Sequence, residues 1–524
     1  MTPTDAGSAP QLAGSRPPSP PLTLADLADL VGTPVDGPVD ARPPISGVTL
    51  ASGEVRAGDL YAALPGARTH GAAYVGDAVA RGAVAVLTDP TGREASAATG
   101  LPVCVVADPR AVLGAVADRV YGEPSRQLTV IGITGTNGKT TTAYLVEAGM
   151  AAAGLGTGLI GTVQTRTRGR GDDGTPTVTA LPSVRTTPEA PALHALLAEM
   201  ATSGVSAVVM EVSSHALVQG RVGGVRFAAA GFTNLGRDHL DFHGDLEEYF
   251  AAKALLFDGR AARELITIDD DAGRRLSAAR DDAATVSIVG PADWRATDVA
   301  GASDGGSTFT LAAPDGRVWP ARVRLPGRFN VANAVLAVAL LDAVGVPVDA
   351  ALAGIAETVV PGRMEPVDAG QRFVAVVDYA HTPDAVTTAL SALRGATDGR
   401  LITVLGCGGD RDPGKRPAMG AAAAAGSDVL VVTDDNPRSE DPAVIRAAML
   451  AGVQDVPEDR RAEVHEVAGR REALTVAVGL ARPGDTLLVA GKGHETGQEV
   501  AGTVHPFDDR AVLLEVLAAV GMPT

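Results

Sequence analysis

The chain has 524 residues, 45% of them hydrophobic and 20% charged, and is too long for one ordinary hydrophobic core, so we expect two to four domains. Its 62 acidic against 44 basic residues give a formal net charge of −18, which disfavours nonspecific attraction to nucleic acid. The longest apolar runs fall short of the roughly 20 residues that cross a bilayer, so no membrane span is expected.

The N-terminal part is predicted to be a disordered tail followed by a small α/β domain. Residues 1–22 are rich in Pro, Ser, Gly and Ala and lack the basic start and apolar block of a secretion signal. Over residues 23–125, short apolar strands such as Ala83 to Leu87 alternate with Ala-rich helical stretches. Cys104 and Cys407 lie within or just after strand-like runs and are interpreted as reduced thiols of a cytoplasmic protein.

A second domain, predicted over residues 126–358, opens with the apolar strand Leu128 to Ile133 and a Gly-rich loop. The loop reads Gly135, Thr136, Asn137, Gly138, Lys139, Thr140 and Thr141, and a helix is predicted from about Thr140 to Met150. Glycines let backbone amides approach phosphate oxygens, Lys139 neutralises their charge, and Thr140 can hold Mg²⁺. Ile133 replaces the first glycine of the common phosphate-binding loop. The strand and helix flanks disfavour the alternative, a turn without chemical use.

Three further positions of this domain are candidates for chemistry. Glu211 follows a buried-type strand and can reach a metal beside the loop, although an N-capping or solvent-facing glutamate is about as well supported. His239 lies in a dense polar cluster and is a candidate metal ligand, with a hydrogen-bonded structural histidine as the alternative. Lys253 falls in the apolar stripe of a helix predicted over residues 245–257, where it either extends its amine to solvent or is a desolvated amine that forms a carbamate with CO₂.

A third domain is predicted over residues 359–524. Four apolar runs, at residues 374–377, 401–405, 429–432 and 487–489, each end in a polar cluster. The carboxyl ends of parallel strands share one edge of a sheet, where ligands collect. We therefore expect the four clusters to face one crevice and to form a binding site.

These motifs together resemble the Mur ligase family over nearly the whole chain beyond the tail. The matching segments are the 135–141 loop, Glu211 to His215, Asp238 to Asp241, Tyr249 with Lys253, and Asp378 to Pro383. The resemblance implies an α/β fold of three domains, with a central P-loop-type domain built on a parallel or mixed sheet and a C-terminal Rossmann-like domain. It also implies an ATP-dependent ligase of peptidoglycan precursor synthesis that acts through an acyl phosphate.

The resemblance further implies roles for individual residues. Lys139, Lys253 and His239 would take part in the chemistry, and Mg²⁺ would be held by Thr140, Glu211, His239 and Lys253, the last as N6-carboxylysine. Asn333, Arg363 and Asp378 would complete the ATP site. The expected contacts of a UDP-N-acetylmuramoyl dipeptide are Leu50, Ser52, Thr186, Thr187, Ser213, Gln219 and Arg221. Two positions depart from the family pattern, since Ala51-Ser52-Gly53 replaces Asp-Ser-Arg and Arg185 replaces an Asn.

Within the family, Asp435-Asn436-Pro437-Arg438 resembles the subgroup that selects diaminopimelate, whose second carboxylate suits the guanidinium fork of Arg438. Arg411, Gly491 and Glu495 are the other expected contacts. The expected substrate is taken as meso-2,6-diaminopimelate, with the LL form left open, and the expected oligomeric state is a monomer.

Two rival functions remain at this point. One is another enzyme of the same fold, either a folylpolyglutamate synthase or the ligase of the following peptidoglycan step, and the Asp435 to Arg438 segment disfavours both. The other is a noncatalytic, nucleotide-regulated scaffold, which the complete set of phosphate-loop, metal and carbamate positions disfavours. Neither nucleic acid nor a membrane is an expected partner.

Overall fold

The computed structural model describes residues 21–38, 43–66, 68–170, 175–302 and 305–521. The predicted tail lies outside these ranges up to residue 20, whereas Leu22 is buried and forms a β-bridge with Ile45. Contacts divide the chain into two units. The first runs to Val286 and includes Leu336–Gly354, and the second comprises Ser287–Val335 and Ile355 onward.

The first unit begins with a five-stranded sheet in the order β1-β5-β4-β3-β2, in which only β1 is antiparallel to its neighbour. Apolar side chains of the sheet pack against the flanking helices. The elements are β1 (Val35–Asp36), β2 (Gly47–Thr49), β3 (Asp59–Ala63), β4 (Ala85–Thr88), β5 (Val103–Val105), α1 (Leu24–Val31), α2 (Val75–Ala80), α3 (Arg93–Ala97) and α4 (Pro109–Val120).

The first unit continues with a larger sheet whose central strands are all parallel, as their continuous apolar sequences indicate. Its strands are β6 (Thr129–Thr134), β7 (Thr157–Ile160), β8 (Gln164–Arg170), β9 (Pro176–Pro182), β10 (Ala207–Glu211), β11 (Ala229–Phe232), β12 (Glu264–Thr267) and β13 (Ala284–Ser287). The order is β9-β8-β7-β10-β6-β11-β12-β13, and β8 is antiparallel to both of its neighbours, β7 and β9. The flanking helices are α5 (Lys139–Ala152), α6 (Ala190–Thr202), α7 (Ser214–Val218), α8 (Leu240–His243), α9 (Leu246–Ala254) and α10 (Asp271–Ala278).

The second unit contains an antiparallel meander, the first part of one helix, the end of another, and a second α/β sheet. The meander and the two helices are β14 (Trp294–Gly301), β15 (Ser307–Ala312), β16 (Val318–Val323), α11 (Arg328–Ala343) and α12 (Val348–Ala356). The sheet and hairpin strands are β17 (Glu365–Pro366), β18 (Val374–Asp378), β19 (Leu401–Leu405), β20 (Val429–Val432), β21 (Glu463–Glu466), β22 (Thr486–Ala490), β23 (Gly497–Val500) and β24 (Thr503–Pro506). The remaining helices are α13 (Pro383–Arg394), α14 (Lys415–Gly426), α15 (Pro442–Gln454), α16 (Arg470–Leu480) and α17 (Asp509–Gly521).

The second α/β sheet has the order β17-β18-β22-β19-β20-β21, and all its strands except β17 run parallel. The four predicted apolar runs correspond to β18, β19, β20 and β22. Their carboxyl ends therefore share one edge, as predicted, and the α/β fold class is confirmed. Within the described ranges, no helix is long and apolar enough to span a membrane. Cys104 and Cys407 are buried and unpaired.

Candidate functional site

The Gly-rich loop joins β6 to α5, and the segment after β11 holds it in place. Gly135 has φ 145° and Gly138 has φ 88°, conformations that favour glycine. The backbone amide of Thr136 donates to the Asn234 carbonyl at 2.9 Å, and that of Asn137 donates to the Asn234 side-chain oxygen at 3.0 Å. The loop is thus fixed before any ligand binds, as phosphate binding by backbone amides requires.

Two lysine side chains converge on one carbonyl of this loop. Lys139 Nζ donates to the Gly135 carbonyl at 2.9 Å and also to the Thr136 carbonyl at 2.9 Å. Lys253 Nζ donates to the same Gly135 carbonyl at 2.7 Å and lies 4.2 Å from the centroid of the Tyr249 ring. The predicted helix is α9 followed by a 3₁₀ turn, Leu255–Phe257, and Asp245 caps it.

Lys253 is 1% exposed, so its amine does not extend to solvent. Burial lowers the pKa of Lys253 well below its usual range, the nearby charge of Lys139 lowers it further, and Asp238 opposes both effects. A neutral amine is nucleophilic, whereas an ammonium is not. The position therefore meets the physical requirement for carbamate formation.

Glu211 ends β10, the strand beside β6, and its carboxylate is buried next to the start of α5. Thr140 Oγ1 donates to Glu211 Oε2 at 2.9 Å. Thr162 donates to Glu211 through its amide at 2.7 Å and its hydroxyl at 3.1 Å. Glu211 is 1% exposed and caps no helix, so neither alternative to a site role describes it. Thr162 belongs to no sequence motif and was not predicted.

His239 lies close to Tyr249 and His215 and is more exposed than Lys253 and Glu211. Its φ is 53°, its side chain is half exposed, and its Nε2 is 3.5 Å from Asp238 Oδ2. Its ring centroid lies 6.3 Å from that of Tyr249, one helical turn from Lys253, and 4.9 Å from that of His215. Burial raises the pKa of Tyr249 to about 12, so this phenol is neutral.

The predicted dipeptide contacts fall into two groups. Thr187 Oγ1 donates to the Glu211 carbonyl at 2.9 Å and accepts from the Ser213 amide at 3.1 Å. Arg221 donates to the Thr187 carbonyl at 3.1 Å and to the Gln219 side chain at 2.6 Å. These residues, with Thr186 at 3.0 Å from Thr162, form one network beside Glu211.

The second group lies in the N-terminal sheet region. Leu50 packs against the core that this sheet shares with α6, and Ser52 hydrogen-bonds Asp77. Arg185, the departure from the family pattern, has a half-exposed side chain 3.8 Å from Glu189.

The remaining predicted ATP contacts lie in the second unit. Asp378 ends β18 and accepts from the Met364 amide and the Ala380 amide, both at 2.8 Å. Burial raises its pKa, and the charge of Arg363 opposes the rise. Arg363 lies 4.4 Å from the Tyr379 ring centroid. Asn333 is buried on α11 and donates to Asn330 at 3.3 Å.

The predicted amino-acid contacts lie on loops at the shared strand edge of the second sheet. Asn436 Nδ2 donates to Glu495 Oε2 at 2.7 Å, which joins the loop after β20 to the loop after β22. Arg438 Nη1 donates to the Gly409 carbonyl at 2.6 Å on the loop after β19. A Cβ on Gly491 would lie 3.0 Å from Asp435 Oδ2. The loops that follow β19, β20 and β22 are therefore joined at one edge of the sheet.

Four other residues at this edge have features of their own. Arg438 has φ 54° and is held there because its amide donates to the Glu499 carbonyl at 2.9 Å and its carbonyl accepts from the Ala501 amide at 2.7 Å. The Pro437 carbonyl accepts from the Glu440 amide at 3.1 Å, and Arg411 is exposed. Lys492, which the sequence analysis did not select, is fully buried between Asn436 and Glu495.

Known proteins similar to this chain belong to one family. Three family models match the chain, described as Mur ligase family, catalytic domain (residues 44–121), Mur ligase middle domain (133–341) and Mur ligase, glutamate ligase domain (362–493). The chain is 53% identical over 500 residues to a UDP-N-acetylmuramoyl-L-alanyl-D-glutamate–2,6-diaminopimelate ligase of Streptomyces avermitilis, covering 95% of this chain and 97% of the relative.

The chain belongs to the Mur ligase family.

Two further similarities support this assignment. A ligase of the same name from Corynebacterium glutamicum is 48% identical over 476 residues, covering 89% of this chain and 90% of the relative. A solved structure of a ligase with that name matches with a TM-score of 0.69 and 30% identity, covering 96% of this chain and all of the other. The Mur ligase fold is therefore confirmed, while the three predicted domain boundaries and the residue roles stay predictions.

Proposed function

We propose that this Mur ligase adds 2,6-diaminopimelate to UDP-N-acetylmuramoyl-L-alanyl-D-glutamate at the expense of ATP, in the cytoplasm and as a monomer. The observation that carries the proposal is the crevice where Arg438 and Glu495 lie on loops joined through Asn436. The end of diaminopimelate that is not joined to the dipeptide carries a carboxylate and an ammonium. A guanidinium can pair with that carboxylate, and a protein carboxylate can pair with that ammonium. The Streptomyces and Corynebacterium relatives are named as 2,6-diaminopimelate ligases, which supports the same substrate.

The first unit supplies the phosphate chemistry. Backbone amides at the start of α5 bind the phosphates of ATP, and Lys139 neutralises charge on the transferred group. The dipeptide carboxylate attacks the γ-phosphorus, the bond to ADP breaks, and an acyl phosphate forms. The amine of diaminopimelate then attacks the acyl carbon, phosphate leaves, and the amine loses a proton. The network of Thr187, Ser213 and Arg221 orients the dipeptide.

The residues beside the loop fit a bound Mg²⁺. The Glu211 carboxylate is buried, and its hydrogen-bond donors, the hydroxyl of Thr140 and the hydroxyl and amide of Thr162, are all neutral. Among the described residues there is no group of three or more His, Cys, Asp or Glu side chains able to hold a metal. Mg²⁺ needs no such group, because one carboxylate, phosphate oxygens and water suffice. Thr140 and Glu211 would hold the ion, with His239 and modified Lys253 nearby, and it would offset charge on the phosphoryl oxygens.

We also propose that Lys253 is carboxylated. Its neutral amine attacks the carbon of CO₂ and loses a proton, which leaves a carbamate anion. The ammonium of Lys139, which donates to the same carbonyl, stabilises that anion. Incubation with ¹³C-bicarbonate should give a carbamate ¹³C resonance in the wild type and none in Lys253→Met. An unchanged resonance in the variant, or none in either protein, would rule the modification out.

Phosphate release and product mass test the proposed function. The purified protein is given ATP, Mg²⁺ and the UDP-dipeptide with meso-diaminopimelate, LL-diaminopimelate or L-lysine. Turnover with a diaminopimelate and little with lysine is expected. Turnover with lysine alone would overturn the substrate assignment, and turnover with a folate substrate in place of the UDP-dipeptide would favour a folylpolyglutamate synthase. ATP binding without any turnover would favour a noncatalytic, nucleotide-regulated scaffold.

A further inference from the structure

Lysine is rare in this chain. Of its 44 basic residues only four are lysines, namely Lys139, Lys253, Lys415 and Lys492. Two of the four meet at the phosphate loop. Arginine and lysine differ in that the lysine ammonium is compact and directs three N–H groups from one nitrogen, whereas the guanidinium is a broad planar fork. In a chain that uses arginine almost everywhere, a buried lysine indicates a position that needs the compact group.

Lys492 is such a position. Its side chain is 0% exposed, and its ammonium donates to Asn436 Oδ1 at 3.1 Å, to Glu495 Oε2 at 3.2 Å and to the Gly497 carbonyl at 2.6 Å. Three N–H groups thus meet three acceptors, which satisfies the ammonium. Asp435 Oδ1 lies 3.6 Å away and adds a second carboxylate. The ammonium links the loop after β20, the loop after β22 and strand β23.

These contacts determine which way the Asn436 amide points. Its Oδ1 accepts from Lys492 and also from the Glu499 amide at 3.0 Å, while its Nδ2 donates to Glu495 at 2.7 Å. The opposite orientation would set the amide NH₂ against an ammonium and a backbone N–H, and would set the amide oxygen against a carboxylate. It would therefore lose all three hydrogen bonds. The ammonium selects one orientation of the amide.

The selected orientation gives the crevice a polarity. Within the part of the chain that the structure describes, Asn436 uses one N–H of its amide and Glu495 accepts through Oε2. The second N–H of Asn436 and the Oε1 of Glu495 therefore remain for a ligand. The Asn436 N–H, like the guanidinium of Arg438, suits a carboxylate. The free oxygen of Glu495 suits an ammonium.

We propose that Lys492 is a positioning residue that sets this polarity and thereby the affinity for the amino-acid substrate. It acts through Asn436 and Glu495 without touching the reacting atoms. The proposal rests on the proposed function and deepens it. Loss of the ammonium frees the Asn436 amide to rotate and leaves the Glu495 charge without its partner. Binding of the zwitterionic end of the substrate then weakens, while nucleotide and UDP-dipeptide binding do not.

The test uses the full chain with Lys492→Met, which keeps the length of the side chain and removes its charge. The KM for diaminopimelate is expected to rise roughly tenfold or more. The KM values for ATP and the UDP-dipeptide should stay within about twofold. Lys492→Arg should not restore the KM, because a guanidinium cannot direct three donors from one nitrogen. Arg471→Met, which removes an exposed basic residue paired with Glu515, should match the wild type.

A double variant tests the route of the effect. Because Lys492 acts in part through Asn436, Lys492→Met combined with Asn436→Ala should raise the KM by less than the product of the two single effects. Thermal unfolding is measured in parallel. If Lys492→Met does not fold, Lys492→Gln, which keeps one donor, replaces it under the same criteria.

The outcomes are distinct. Equal rises in all three KM values, a fall in kcat with the diaminopimelate KM unchanged, or additive effects in the double variant would overturn the role of Lys492. Wild-type turnover with no change in the variant would overturn this inference alone. A wild type inactive with every diaminopimelate would overturn the proposed function and this inference with it.

Discussion

Replacing Arg438 by alanine is expected to reduce kcat/KM for diaminopimelate by roughly 30- to 1,000-fold. The Arg438 guanidinium donates one N–H to the Gly409 carbonyl, and its Nε lies 3.5 Å from Glu499 Oε2. Several of its five N–H donors therefore remain for a substrate carboxylate. Truncating one side of such a charged pair costs about 2–4 kcal/mol, which converts to that range. The preference for diaminopimelate over lysine should shrink with it, because lysine lacks the carboxylate.

Arg438→Lys is the matched control. The backbone of Arg438 has φ 54°, and alanine and lysine meet the same left-handed strain there as arginine does. The variants therefore differ in the side chain alone. Lysine keeps the charge without the fork and should lose about tenfold. Phosphate release with diaminopimelate and lysine, together with the thermal midpoint, measures both variants. If Arg438→Ala keeps its kcat/KM for diaminopimelate within about twofold, the assignment of Arg438 is wrong.

Three further predictions follow from buried groups. In CO₂-free buffer the free energy of unfolding of the wild type, relative to Lys253→Met, should rise with pH up to the ordinary lysine pKa of about 10.4. Burial lowers the pKa of Lys253 in the folded state, which therefore binds fewer protons than the unfolded state. Parallel pH profiles in denaturant titrations would contradict this. Gly135→Ala would place a Cβ against the Thr233 hydroxyl at φ 145°, so it should cost about 2–4 kcal/mol and abolish ATP-dependent phosphate release. Gly154→Ala, at φ 82° with no atom nearby, should cost only about 1 kcal/mol. Arg470→Met leaves its fully buried carboxylate partner without a cation and should cost about 3–5 kcal/mol of stability in denaturant titrations, and an unchanged midpoint would refute that cost.

Much of the second sheet could be predicted from the sequence. Buried parallel strands are short continuous apolar runs, so Val374–Asp378 and Leu401–Leu405 could be located within one residue. Parallel strands end at one edge, so Asn436 and Glu495 could be expected at the same edge, where the structure joins them by a hydrogen bond. The apolar stripe around Lys253 left two alternatives, an amine extended to solvent and a desolvated amine, and the structure shows that the side chain is buried.

Contacts between distant segments could not be predicted in the same way. The convergence of Lys139 and Lys253 on one carbonyl depends on how α9 packs against the loop, 118 residues away along the chain from Gly135. No local pattern encodes that. The left-handed conformation of Arg438 arises from pairing with the 499–501 segment, and its own sequence is an ordinary turn. Thr162 lies in no motif. Lys492 lies in the polar cluster after the run at residues 487–489, but the sequence did not indicate its contacts with Asn436 and Glu495.

The central claim is that the chain activates the dipeptide carboxylate with ATP and joins it to a diaminopimelate. The most direct test supplies UDP-dipeptide with ¹⁸O in the reacting carboxylate, together with ATP, Mg²⁺ and diaminopimelate, and analyses phosphate and product by mass spectrometry. An acyl phosphate requires one ¹⁸O to leave in the phosphate for each UDP-tripeptide formed. Phosphate without ¹⁸O, or ATP hydrolysis without UDP-tripeptide, would contradict the account.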